Sequence, residues 1–263
     1  MKTLQQKLKE LKSQNKTGLS FFLTGGYPSM EYFKELLLFL DREKLADFVE
    51  IGIPFSDPVA DGPVIQSSSV KAIKNGANFF NILKTVKDIK DKIELPLVLM
   101  SYLNIVYSRW EKNLILAKEA GFSASIFPDL PVDEYKKIIR EGKKDKLPVV
   151  LLTTPACSKK RIKEISSLSR PFIYYVSSYG VTGHRDKLKK KRLARDLKKM
   201  KNNTDKPVYC GFGISTPRQA DFISRYADGL IIGTAVIELI SEDKTKTFKE
   251  IKKFGISIRD AVS

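Results

Sequence analysis

The chain of 263 residues has one histidine, His184, and two cysteines, Cys157 and Cys210. With a single imidazole, no second histidine is available for a metal or for Ser/His/Asp or Cys/His machinery. The cysteines have neither metal-ligand nor redox spacing, so a reduced cytoplasm is the expected compartment. Cys210 sits in an apolar run and reads as packing; Cys157 lies in a polar loop. Asp57 and Asp129 are acids a divalent ion could use. No histidine or closely spaced acid joins them, so no metal is expected. Apolar runs of about 18 residues or more are absent, so no membrane span is expected. Residues 1–18 form a Lys/Gln/Leu amphipathic stretch without the apolar core or cleavage site of a secretory signal, and read as an opening helix. No Pro/Gly/Ser linker or low-complexity segment divides the chain, which reads as one domain over 1–263.

Acids are also few. Against 30 Asp and Glu stand 47 Lys and Arg, a formal charge of +17. Such an excess can attract nucleic acid, anionic membrane or phosphorylated substrates, or can simply decorate solvated faces. It is densest at residues 187–201. There Leu193, Leu197 and Met200 recur at helical spacing, which predicts a packed helix with a basic outer face rather than a nucleic-acid site.

Short apolar runs recur from end to end: 19–24, 47–52, 95–101, 124–127, 148–152, 171–177, 207–211 and 228–233. Amphipathic stretches separate them, at 30–42, 79–92, 110–120, 132–144, 159–168 and 217–226. Continuously apolar strands alternating with helices indicate a parallel sheet covered by helices. Eight such units in this length favour a closed (β/α)₈ TIM barrel, with an extra N-terminal helix. Chemistry then belongs at the carboxyl ends of the strands.

The suggestive residues fall there. Glu50 closes the second run with Phe48, Val49, Ile51 and Ile53 around it, and a Gly/Pro loop then presents Asp57 and Asp61. Burial disfavours a charged carboxyl and raises its pKa, which suits a group that must give and take a proton near neutrality. A strand-end acid held in an ion pair is the other reading of Glu50. Tyr174 and Tyr175 share a strand, so one faces the barrel interior and the other the helices.

Three glycine-bearing loops follow the last strands: 180–183, 211–215 and 233–235. Glycine lets backbone amides approach an anion, and the loops after strands seven and eight are the usual phosphate site of such barrels. Each loop alone could be only a tight turn; three at consecutive strand ends favour a phosphate pocket. His184, just beyond the first, reads as a solvated loop histidine.

With these motifs in order, the chain resembles the tryptophan synthase alpha subunits over nearly its whole length. The resemblance rests on Leu-Thr-Gly-Gly-Tyr-Pro at 23–28, Glu-Ile-Gly-Ile-Pro-Phe-Ser-Asp-Pro at 50–58 and Ala-Asp-Gly-Pro-Val-Ile-Gln at 60–66. Tyr-Leu-Asn at 102–104, Pro-Asp-Leu-Pro at 128–131, Gly-Val-Thr-Gly at 180–183 and Gly-Phe-Gly-Ile-Ser at 211–215 follow in family order. It implies a retro-aldol lyase that splits indole-3-glycerol phosphate into indole and glyceraldehyde 3-phosphate, in the last steps of L-tryptophan biosynthesis. By resemblance, Glu50 moves protons, Asp61 holds the indole N–H, and Tyr174 contacts substrate near the base. Phe22 and Leu99 flank the indole ring, and Gly183, Gly211, Gly213, Gly233 and Thr234 belong to the phosphate cradle.

The resemblance also implies a pyridoxal-phosphate beta subunit in an α₂β₂ complex, faced by Pro54, Asp57, Asp129 and Pro131, and no cofactor on this chain itself. Thr234 stands where serine is usual, Ser101 where a bulkier apolar residue is usual, and residues 184–191 are more basic than the family norm. The basic lid suggests an alternative: a catalytically weak regulatory subunit that activates the beta subunit.

Overall fold

The computed structural model describes residues 3–142, 144, 146–177, 186–211 and 213–263, with the side chains of 186–189 outside that description. Its strands are β1 (Gly18–Thr24), β2 (Phe48–Gly52), β3 (Leu97–Met100), β4 (Phe122–Ile126), β5 (Val149–Thr153), β6 (Ile173–Val176), β7 (Val208–Gly211) and β8 (Gly229–Ile232). Each pairs in parallel with the next, and β8 pairs with β1 to close the barrel. Each predicted run holds a strand, its ends moved by a residue or two.

The helices are α1 (Leu4–Ser13), α2 (Met30–Arg42), α3 (Pro63–Lys74), α4 (Phe79–Ile89), α5 (Leu103–Tyr107), α6 (Trp110–Ala120), α7 (Val132–Arg140), α8 (Lys159–Leu168), α9 (Asp186–Lys201), α10 (Pro217–Ser224), α11 (Thr234–Glu238) and α12 (Lys244–Val262). Their starts are written locally. Ser29 accepts from the Tyr32 amide to open α2, and Asn78 from the Asn81 amide to open α4. Thr216 and Gln219 cap each other's backbone at α10, where Pro217 takes a position that needs no donor. Leu193, Leu197 and Met200 of α9 are buried and Arg195 is exposed, so this basic helix packs on the barrel as its periodicity predicted. Among the described residues no helix is long and apolar enough to cross a membrane.

Two long helices were not legible. α3 contains three successive serines, weak helix formers that favour caps and turns. It holds because Ser68 and Ser69 are buried, with the Ser68 hydroxyl bonded to the Ile65 carbonyl and to Thr24 Oγ1. α12 buries Thr247 and Gly255 on the same face as Ile251, Ile258 and Val262, so its stripe does not read as apolar.

The barrel interior is filled in layers. Phe48, Phe172 and Tyr209 meet near the amino end, with ring centroids 4.9 to 5.7 Å apart. Tyr209 fits because β8 beside it and β1 beyond begin with glycine: a Cβ on Gly18 or Gly229 would fall within about 2 Å of its ring or hydroxyl. Two residues further along β2 comes Glu50, and two further Gly52, on the same interior face.

Candidate active site at the carboxyl ends of the strands

Two adjoining cavities open above this stack. The larger holds about 390 Å³ and includes Phe22, Asp61, Tyr174, Gly213, Ser215 and Thr234 in its wall. The smaller shares Phe22, Asp61, Ile65 and Met100 with it, and adds Gly52, Ser101, Tyr102 and Pro128. One end of the combined space is apolar, the other is backbone and hydroxyl, and Asp61 belongs to both halves.

Glu50 lies below the cavity rather than in its wall. It is 0% exposed, and neither carboxyl oxygen has a hydrogen-bond partner among the described residues. Burial alone pushes it up to about 8, so it is held as a neutral acid at pH 7. The ion-pair reading of Glu50 therefore finds no partner among the described residues. Phe22, its register partner on β1, lines the cavity directly. Tyr174 lies near enough for the Glu50 charge to raise its already high pKa, after burial itself.

Asp61 has a different setting. It is half-buried, and the Tyr102 hydroxyl donates to its Oδ2 at 3.2 Å. Burial raises its pKa and the Tyr102 hydrogen bond opposes that rise. The Tyr102 oxygen in turn accepts from the Ala60 amide at 2.9 Å, so one phenol ties the loop after β2 to the end of β3. Two carboxyl groups in unlike environments thus stand at one site, Asp61 in the cavity wall and Glu50 buried beneath it, the arrangement that separates acid from base roles.

Gly213, Gly233 and Thr234 line the far end together with Ile214, Ser215 and Ala235. Neither Lys nor Arg lines this end among the described residues, which leaves amides and hydroxyls as its anion-binding groups. Gly211 is not in the wall; it sits against Tyr174, where a Cβ would lie 2.3 Å from the phenol oxygen. Gly183 and His184 lie outside the described residues.

Leu99 is displaced from its expected place. It is fully buried and absent from both walls, while Met100, the next residue of β3, lines both. Alternation along the strand puts only one of the two inside the barrel, and Gly52, the register partner of Met100, is on that face. Pro54 is also displaced: it is buried, whereas Asp57, Asp129 and Pro131 are exposed and Val59 is 84% exposed. Asp129 accepts the Leu103 amide on both carboxyl oxygens, at 2.9 and 3.1 Å, fixing the start of α5. Cavity residues that sequence reasoning passed over include Ile65 and Glu238. Glu238 lies four positions after Thr234 on α11, one helical turn along the same face. No group of three or more His, Cys, Asp or Glu able to hold a metal occurs among the described residues.

A closed eight-stranded parallel barrel with a carboxyl-end cavity, Asp61 in its wall, Glu50 buried beneath it and glycine-bearing loops at its far end has the build of a TIM-barrel enzyme. The chain belongs to the tryptophan synthase alpha chain family, whose model matches residues 8–262. The tryptophan synthase alpha chain of Petrotoga mobilis is 40% identical over 94% of this chain and 96% of its own length. That of Clostridium kluyveri is 41% identical over 95% and 94%. A crystal structure of tryptophan synthase subunit alpha from Legionella pneumophila matches with TM-score 0.88 at 31% identity, over 100% of this chain and 99% of that one. The family cleaves indole-3-glycerol phosphate to indole and glyceraldehyde 3-phosphate, and this chain is such a lyase of tryptophan biosynthesis. The alternative of a catalytically weak regulatory subunit is not favoured.

Proposed function

We propose that Glu50 and Asp61 divide the retro-aldol cleavage between them. The indole ring lies at the apolar end against Phe22, Ile65 and Met100, with its N–H toward Asp61. The phosphate lies at the other end, on the amides around Gly213–Ser215 and Gly233–Ala235 and on the Ser215 and Thr234 hydroxyls. Glu50, neutral at pH 7, gives its proton to indole C3. The ring becomes the indolenine cation, whose positive N–H the Asp61 carboxylate stabilises. Glu50, now a carboxylate, takes the proton from the glycerol hydroxyl next to the ring. The C–C bond then breaks, its electron pair returns to the ring, and indole and an aldehyde are left. The proton given to C3 and the proton taken from the hydroxyl balance, so one residue serves as acid and then base.

The observation that carries this reading is Glu50 itself, a fully buried acid with neither oxygen partnered among the described residues, beneath a cavity whose wall holds a second, differently held acid. Indolenine formation gives the reaction its electron sink, so the proposal asks for no cofactor on this chain. The exposed face around Asp57, Val59, Asp129 and Pro131 is the surface proposed to meet a beta subunit in an α₂β₂ complex. A tryptophan synthase from M. tuberculosis, 25% identical with TM-score 0.83 over 97% of this chain, supports that setting.

The test is indole release from indole-3-glycerol phosphate by the purified chain, with and without a beta subunit, beside Glu50→Gln. Release that rises with the partner and collapses in the variant supports both proposals. Release that survives in Glu50→Gln removes Glu50 from the chemistry. Release indifferent to the partner removes the complex.

A further inference from the structure

A wide cavity lies at the opposite end of the barrel, and the lyase reaction makes no use of it. It holds about 1030 Å³, in the size range of small-molecule sites. Its wall is assembled from strand starts: Gly121 and Phe122 into β4, Pro148 and Val149 into β5, Pro171 before β6 and Pro207 before β7. Helix α1 lies across one side, with Leu8 buried against the groove.

Six cations line it from five parts of the fold: Lys9 and Lys12 of α1, Lys90 after α4, Lys118 of α6, Arg170 after α8 and Lys206 before β7. Asp91 is the one carboxylate among the described lining residues. Elsewhere on the surface some cations pair with carboxylates, as in Arg161–Asp133, Lys201–Asp228, Lys244–Glu35 and Arg259–Asp47. None of the six groove cations pairs with a carboxylate among the described residues. Three of them bond neutral backbone carbonyls: Lys90 donates to Glu119, Lys206 to Ser169, and Arg170 to Ser167 and Ser169. Such carbonyls orient the side chains without cancelling their charge. Burial, and after it the nearby Arg170, pushes the Lys206 ammonium down to about 8.

The floor is different in kind. Pro148, Pro171 and Pro207, which keep accessible surface over the buried Leu8, Phe122, Leu147 and Val149, give it an apolar strip beside the charged rim. A single phosphate would occupy two or three of the cations and leave the strip bare. We propose that this groove binds a small molecule in which several linked phosphates adjoin a flat apolar group, of the nucleoside triphosphate kind. The phosphates lie along the rim and the ring on the strip. The site is separate from the phosphate cradle, which serves the opposite face of the barrel.

Calorimetric titration of the full chain with ATP, inorganic tripolyphosphate and adenosine, at fixed ionic strength, tests it. One ATP is expected per chain, bound more tightly than tripolyphosphate, with adenosine weakest. The paired change Lys90→Gln and Lys118→Gln should weaken ATP about tenfold or more, as for two lost charge-assisted contacts. Arg170→Gln should weaken it further. The same charge removed elsewhere, by Lys246→Gln and Lys249→Gln on α12, should leave binding unchanged. Loss to an equal extent in the α12 variant would reduce the effect to bulk charge and overturn the proposal. So would weakening by Thr234→Val with no effect of the groove variant, which would place ATP in the lyase site. Single-stranded DNA that binds more tightly than ATP and displaces it would reassign the groove to nucleic acid. Absence of binding at millimolar ATP would end it.

Discussion

Gly211 gives Tyr174 its room: a Cβ there would lie 2.3 Å from the phenol oxygen and 2.7 Å from the ring carbon that bears it. Tyr174 is 3% exposed in the cavity wall and has little space to retreat. Gly211→Ala should therefore cost about 1–3 kcal/mol of stability, the usual range for overpacking, and should lower kcat/KM by moving Tyr174. Removing the hydroxyl as well, in Gly211→Ala with Tyr174→Phe, should recover part of the stability. A denaturation midpoint for each corner of this double-mutant cycle measures the coupling. Additive effects would mean that the two residues do not press on each other.

The pH dependence follows from Glu50. Burial lifts its carboxyl from 4.5 to about 8 in the folded chain. The neutral form starts the reaction, so kcat/KM should hold near pH 7 and fall as pH rises past about 8. Stability has the same sign. The raised pKa leaves the folded state undisturbed below about 4.5, and its cost grows as pH rises to about 8. Glu50→Gln should then be inactive yet lose less stability than the parent between pH 5 and 8. Chemical denaturation across that range, in both proteins, reads the difference. Parallel curves would contradict the burial of a neutral acid.

Tyr102→Phe tests how Asp61 is held. The variant removes the donor to Asp61 Oδ2 and the acceptor of the Ala60 amide together. A hydrogen bond to a charged group contributes about 1.5–3 kcal/mol, so kcat/KM should fall roughly tenfold to a hundredfold. The Asp61 carboxyl should titrate higher, since that bond is what opposes its burial. An unchanged pH profile with reduced stability would confine Tyr102 to holding the loop.

Thr234→Val removes a cradle hydroxyl at nearly constant volume. The phosphate does not react, so the loss belongs to binding: KM should rise about five- to tenfold with kcat nearly unchanged. Thr234→Ser should retain most of the parent's KM. A fall in kcat alone would place Thr234 near the reacting atoms instead.

Much of this architecture was legible because its signals are local. The strand runs announce themselves through continuous burial, and Ser29, Asn78 and Thr216 mark helix starts within three residues of their acceptors. Glu50 was legible because an acid among Phe48, Val49, Ile51 and Ile53 contradicts its neighbours. What escaped depends on a partner strand or on depth. Leu99 and Met100 are equally apolar, and only the register against Ile51 and Gly52 decides which enters the barrel. Pro54 and Val59 belong to one loop, and their burial is set by how that loop folds back onto Tyr102. The basic groove was invisible in the sequence because its six cations come from five parts of the fold and meet only when the barrel closes.

The ring cluster of Phe48, Phe172 and Tyr209 has a consequence for traffic. These three side chains are at most 1% exposed and fill the lower third of the bore. Indole freed above them has no route down the barrel axis. The proposed chemistry therefore turns it toward the carboxyl ends of the strands, on the side of Phe22 and Tyr102. A product turned back at an aromatic floor can be handed to whatever covers the carboxyl ends of the strands.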